Sequence, residues 1–567
     1  MKKLGLVLAV AMSMAPSVHA ADPVAAPTPM RGWDFSQAER IPIQSGGRIK
    51  PMDSFAGEGV LFLTGRGSYA GWNNTELLLS LLSRPEAWQK EPLIRVDQPD
   101  LRRQLLLDEK RIMFSPEELF HSPVVLQYAE HLDNAGKQLM DPRGAVGQVS
   151  PREREFKRVL NRLGLYRSLV SGEAWTAIPA PPAENWQGLA TEANPGPLRE
   201  AYAEMVRAYH RGDQSAFEKS AGAVRAAIEA AIPGWDGGQR TLLQAEVFYH
   251  KLHPFRWACT IYLLAGLLWA LTQFSGGMFK KRLTPFAMAA TWIGLAFHLT
   301  GFGLRVWIAG RPPVSNMYES VIWVSFGVMF FSLIIYFVQK QKQPILLGTS
   351  AVLSGLGLLA ADASPAIMDP TIQPLVPVLR SNFWLTIHVL TITLGYAAFA
   401  LTFGLGNVAL FQFLKSDSKG KKAMGSAQRI ALVNQLLYRA MQIGVVCLAA
   451  GTILGGVWAD YSWGRFWGWD PKETWALIAL LTYVAVLHAR YTGWIGQFGY
   501  PAWSVVCFLS VVMAWYGVNY VLGVGLHSYG FSSGGVGSVA AVCMAQLGFV
   551  LLVTILHARR TGDLFGK

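Results

Sequence analysis

Charge is scarce in this chain. Of 567 residues, only 15% are Asp, Glu, Lys or Arg, against about 25% in an ordinary soluble protein. The shortage is concentrated after residue 256, where long apolar runs alternate with short basic clusters, whereas 22–253 is ordinarily polar. This excludes a single soluble globule and predicts a polar domain followed by a membrane domain. Cysteine is scarcer still. Cys259, Cys447, Cys507 and Cys543 all lie in apolar runs and no CxxC pair occurs, which excludes a sequence-readable disulfide framework or thiol-redox site. Acidic residues are too few to balance the basic ones, and the net charge is +13. Nucleic acid is nevertheless not the expected partner. Much of the positive charge flanks apolar spans, a usual place for basic residues, and no nucleic-acid motif is present.

The N-terminus reads as a signal peptide over 1–21. Lys2 and Lys3 precede an apolar stretch over 4–14, and Val18-His19-Ala20 fits a small-residue cleavage site. An uncleaved anchor helix is the alternative, and either way the domain over 22–253 is expected to be exported to the periplasm. A span needs about 20 mostly apolar residues. Nine are expected, near 256–276, 285–308, 320–338, 345–361, 383–414, 436–457, 474–491, 501–522 and 536–558. The fold class expected is an all-α polytopic membrane protein preceded by a mainly helical exported domain. Basic clusters at Lys280 to Arg282, Lys340 and Lys342, Lys415 to Lys422, Arg490, and Arg559 with Arg560 mark the cytoplasmic ends. Arg305 and Arg311 fall at an outer end, where they can serve an anionic ligand or snorkel. The four outer loops then carry most of the distinctive residues of the membrane half.

The densest of these loops spans 458–475 and holds five tryptophans: Trp458, Trp463, Trp467, Trp469 and Trp475. Interfacial enrichment of tryptophan explains one or two of them, but not the Gly-spaced cluster with Arg465, Asp470, Lys472 and Glu473 interleaved. A set of indoles suits a large, flat, apolar ligand, and Arg465 and Lys472 can pair carboxylates on it.

The run from Trp463 to Trp475, Trp-Gly-Arg-Phe-Trp-Gly-Trp-Asp-Pro-Lys-Glu-Thr-Trp, resembles the WWD signature of the haem-handling family that includes CcsA, CcmC and CcmF. The resemblance extends over about 255–560. It takes in Pro313 to Ser320, the stretch from Pro374 to Asn382 followed by His388, and Leu526-His527-Ser-Tyr529. Ile41 to Asp53 is similar to a short stretch ahead of some CcsA-like domains.

Imidazole is a common ligand of haem iron, and His388 and His527 flank the tryptophan loop in sequence. The resemblance implies that these two are the external haem ligands and that His488, well down the seventh span, is an intramembrane one. His298, midway along the second span, is a further candidate on its position alone, since polar groups within a membrane are costly; an interhelical hydrogen bond is its other reading. The family further implies haem b as cargo and substrate, and covalent attachment of haem to the Cys-x-x-Cys-His thiols of apocytochrome c. It implies a CcsB- or ResB-like membrane subunit and a thiol-reducing pathway as partners. Two alternatives stay open: a haem exporter or chaperone serving a separate ligase, and a membrane transporter without haem. No residue reads as a general acid or base.

The exported domain is less legible. Helical periodicity is expected over 116–135, 152–171, 198–211 and 215–232, with a loop over 177–197. Docking a partner or the apocytochrome is its expected role, with a structural cap over the outer loops as the alternative.

Overall fold

The computed structural model describes residues 26–125, 151–180, 185–188, 196–274, 276–374, 382–415, 421–523 and 535–562. The chain divides into two compact units, Met1–Phe248 and Tyr249–Lys567.

The first unit opens with a hairpin of β1 (Pro42–Ser45) and β2 (Arg48–Pro51), antiparallel with Pro42 opposite Pro51. Gly46 and Gly47 form its turn with φ of 61° and 82°, a conformation that two-residue hairpins favour and that glycine adopts without steric cost. Six helices of two turns or more follow: α1 (Met52–Thr64), α2 (Asn74–Ser83), α3 (Pro151–Ser171), α4 (Pro197–Arg211), α5 (Gln214–Ala231) and α6 (Gly237–Leu252). Asn73 caps α2 by accepting from the amides of Thr75 and Glu76, as an N-cap side chain does. The helices expected near 152–171, 198–211 and 215–232 are α3, α4 and α5. The one expected over 116–135 begins at Pro116 but ends at Phe120, and 126–135 lies outside the described residues. Trp88, Trp175, Phe114 and Phe156 fill the core. Arg48 grips Glu246 of α6 with two hydrogen bonds of 2.6 and 2.7 Å, and Ser54 donates to the same carboxylate at 2.6 Å. Lys50 pairs with Glu58 at 2.6 Å. Buried charges need such partners, and here they tie the hairpin and α1 to α6.

Among its described residues, the second unit is built of helices joined by loops. It contains α7 (Pro254–Phe274), α8 (Gly277–Ala309), α9 (Met317–Val338), α10 (Pro344–Ala363), α11 (Asn382–Lys415), α12 (Lys421–Trp463), α13 (Pro471–Tyr491), α14 (Gly499–Val512) and α15 (Val536–Thr561). The helix α14 continues as a π-helical segment, Met513–Leu522. Among the described residues, nine helices are long and apolar enough to cross a membrane. The protein is an all-α, multi-pass membrane protein. The nine helices fall where the apolar runs place the spans. The sixth differs most: its apolar stretch begins near residue 436, but α12 starts at Lys421, because the polar lead-in carrying Arg429 and Asn434 is helical too. The helices α11 and α12 approach closely through small residues. A Cβ on Gly451 would lie 2.6 Å from Cα of Ile392, and one on Gly395 would lie 2.9 Å from the amide of Leu448. Small residues permit such contact between membrane helices.

Candidate functional site

Glycine on α12 also makes room for the side chain at the centre of the site. A Cβ on Gly455 would lie 2.5 Å from Cε1 of His388, which α11 presents across the gap. The His388 ring lies parallel to Trp458, with centroids 6.3 Å apart and planes at 6°. Its Nδ1 is 2.7 Å from the carbonyl oxygen of Gly451. A carbonyl only accepts, so Nδ1 carries the proton; in the neutral ring the lone pair is then on Nε2, the form in which imidazole binds a metal.

His388 lines a cavity with about 1200 Å³ of empty space, its open mouth included. The tryptophan loop supplies Phe466, Trp467, Lys472 and Glu473; the start of α9 supplies Met317 and Ser320; the π-helical segment supplies Trp515 and Asn519. The wall formed by α9 and the π-helical segment is internally bonded. Trp515 Nε1 donates to Ser320 Oγ at 2.9 Å, which donates to the Met317 carbonyl at 2.9 Å. The sequence reading flagged the stretch from Pro313 to Ser320 but not Trp515 or Asn519. The π-helical segment that carries them leaves no mark in an apolar run.

The tryptophan loop is held by its own charges. Asp470 caps α13 by accepting from the amide of Lys472, Pro471 takes the first helical position, and Glu473 reaches back to the amides of Asp470 and Gly468. This is a capping box with an N-terminal proline, so Asp470 is spent on the helix rather than offered to a ligand. A D-x-x-E pattern ahead of an apolar run is the signal for it. Arg465 lies 3.7 Å from Glu473 and over the Trp463 ring at 5.9 Å. It does not line the cavity. Trp463 packs edge-on against Trp458 at 4.7 Å, one layer behind the wall. Trp469 has φ of 56° and is 70% exposed. Trp475 is not among the lining residues. The loop therefore gives the cavity Phe466, Trp467, Lys472 and Glu473, with Trp458 from the end of α12.

The other candidates lie elsewhere. His298 is fully buried. Its Nε2 donates to the Ile322 carbonyl at 3.1 Å, and the rings of Phe255, Tyr262, Phe302 and Phe326 surround it at 5.0–5.9 Å. His488 sits near the far end of α13, exposed beside Trp494, about 24 Å along the helix from Lys472 at 1.5 Å per residue. His527 lies outside the described residues. Arg305 and Arg311 are neither lipid-facing nor free for an anion. Both bond Glu319, at 2.9 and 3.0 Å, and they hold the carbonyls of Pro370, Thr371 and Gln373. The three side chains are a buried clamp on the segment that precedes α11.

The family profile described as "Cytochrome C assembly protein" matches residues 314–527, a stretch that contains His388, the tryptophan loop, His488 and His527. The cytochrome c biogenesis protein CcsA of Prochlorococcus marinus (strain NATL1A) is 34% identical over 307 residues, 48% of this chain and 93% of that protein. The chain belongs to the CcsA family. CcsA of Synechococcus sp. (strain RCC307) is 38% identical over 264 residues, 41% of this chain and 81% of that protein. Protein NrfI of Wolinella succinogenes is similar over more of this chain, 29% identical over 507 residues and 85% of it. These residues make up 53% of NrfI, so the chain spans about half the length of that relative. A solved chain titled Cytochrome c Heme Lyase CcmF is 16% identical and covers 53% of this chain and 50% of its own, with a TM-score of 0.36; the superposition is too loose to carry an argument.

Proposed function

We propose that this protein holds haem b at the outer face of the bacterial cytoplasmic membrane and joins it covalently to apocytochrome c. The observation that carries the reading is the bond from His388 Nδ1 to the Gly451 carbonyl, in a ring that lines a cavity walled by Trp458, Trp467 and Trp515; with Nδ1 engaged as donor, a neutral imidazole binds iron through Nε2. Membership of the CcsA family and the biogenesis role named in the titles of its relatives support the same reading.

In this account His388 and His527 would hold the haem iron as imidazole ligands. Trp467 and Trp458 bound the space for the ring, and the capping box at Asp470 keeps the loop in place. His488 offers an earlier stop, nearer the cytoplasmic end. His298 joins that route only if its aromatic cage opens. The substrate's two thiols add across the two vinyl groups: each sulfur bonds one vinyl carbon, the thiol hydrogen passes to the other, and the carbon–carbon double bond becomes single. No electron is gained or lost in this addition, so the cysteines must arrive reduced, which calls for a thiol-reducing partner. The protein contributes positioning and exclusion of competing reactions. A CcsB- or ResB-like membrane subunit completes the assembly. The domain organisation is a signal peptide at 1–21, a periplasmic domain at 22–253 that docks the partner or the apocytochrome, and the haem-handling membrane domain at 254–567. The basic clusters set the opposite helix ends in the cytoplasm.

Co-expression with an apocytochrome c, scored for covalent haem on a denaturing gel, tests the function. Covalent product that is lost in His388→Ala supports synthesis. Bound haem with no covalent product, even with the partner subunit supplied, identifies an exporter or chaperone instead.

A further inference from the structure

Among the described residues, one charged side chain of the cavity wall makes no hydrogen bond or ion pair. Glu473 lines the wall, but its Oε2 accepts from the amides of Gly468 and Asp470 and its Oε1 faces Arg465. Arg305 and Arg311 are committed to Glu319. Lys472 lines the cavity too, and among the described residues its ammonium makes no hydrogen bond or ion pair. It is also placed against its own helix. Lys472 is the second residue of α13, where the dipole end is positive and a cation is disfavoured. The neighbouring carboxylate, Asp470, is occupied by the cap. A partly buried cation at a helix N-terminus, facing a cavity and attracted only by an Asp470 carboxylate that already caps the helix, suits an anionic ligand.

We propose that Lys472, and not Arg465, binds a carboxylate of the cavity's occupant, and that this contact fixes which edge of the ring faces the tryptophan loop. The inference rests on the reading of the cavity as a haem site. Propionates are the peripheral carboxylates of haem, and they lie on the edge away from the vinyl groups. Anchoring them at Lys472 turns the vinyl edge away from the start of α13 and towards the rest of the cavity, where a polypeptide thiol can reach it. Arg465 acts as a lock on Glu473: a Cβ on Gly468 would collide with its guanidinium, so the loop is folded directly over it.

The test compares two probes with the same iron and ring, haem and its dimethyl ester. Each is titrated by absorption into full-length protein purified from haem-depleted cells. Wild type is expected to bind the free acid at least about tenfold more tightly, as a charge-assisted pair in a partly buried site should provide. Lys472→Gln is expected to lose that preference, Lys472→Arg to keep it, and Arg465→Gln to keep it. Equal affinities in wild type, or an undiminished preference in Lys472→Gln, would overturn the proposal while leaving the haem reading standing. A preference lost in Arg465→Gln but kept in Lys472→Gln would move the contact to Arg465. If neither probe gives a spectrum that depends on His388, the haem reading fails and this inference with it.

Discussion

Gly455 and His388 face each other so closely that a single methyl group between them would lie 2.5 Å from Cε1 of the imidazole. Histidine position and helix approach are thus one feature. The ring that lines the cavity is seated against the bare backbone of α12 and held by the carbonyl of Gly451, one turn earlier.

Gly455→Ala should therefore mimic loss of the histidine. The ring must shift off its stack with Trp458, and overpacking of this kind costs about 1–3 kcal/mol. Haem content per protein, measured by pyridine haemochrome, is expected to fall as it does in His388→Ala, while the purified variant stays monodisperse. Full haem content in Gly455→Ala would show that the seat is not needed.

The Glu319 clamp gives a stability prediction. Both guanidiniums it pairs with are buried, and removing one partner of a buried ion pair costs about 3–5 kcal/mol. Glu319→Ala is expected to lower the thermal unfolding midpoint by several degrees, and pairing it with Arg305→Met to recover part of that loss. Unfolding unchanged in the single variant would refute the clamp.

His298→Ala separates packing from ligation. The side chain pins α8 to Ile322 of α9, outside the cavity. Haem content is expected to stay at the wild-type level while thermal stability falls. Haem content that falls at unchanged stability would instead make His298 a ligand.

In the first unit, burial raises the pKa of Glu76, and hydrogen bonds from the Met30 amide and Tyr209 offset this only in part. A carboxyl with a folded pKa above its unfolded one binds its proton more tightly when folded. Its contribution to stability is full below the ordinary carboxylate range and declines as pH rises through the folded value. Hydrogen exchange in the first unit of the full-length protein should accelerate over that window, beyond the intrinsic effect of pH. In Glu76→Gln the excess should vanish. An excess that persists in Glu76→Gln would assign it to another group.

Sequence reading recovered the membrane half well because a span is set by length and apolarity, which are local properties. The tryptophan loop was legible for the same reason. It was not legible which of its residues reach the cavity. Asp470 and Arg465 look like ligand contacts in one dimension, yet they are a helix cap and an internal lock. Trp515 and Asn519 enter the wall because α14 changes pitch, a long-range packing outcome. In the first unit the Gly46-Gly47 hairpin was missed although its turn residues are explicit, whereas the helix expected from Pro116 is interrupted at His121 and Ser122, a local break that periodicity does not register.

The central claim is that His388 is an iron ligand poised by Gly451. Its most direct test is the oxidised and reduced absorption spectrum of detergent-purified protein from haem-replete cells, beside His388→Ala and His527→Ala. The account predicts a six-coordinate haem spectrum in wild type that weakens or shifts in both variants. A wild-type protein that remains colourless even with its partner subunit present, or a spectrum untouched by His388→Ala, would contradict it.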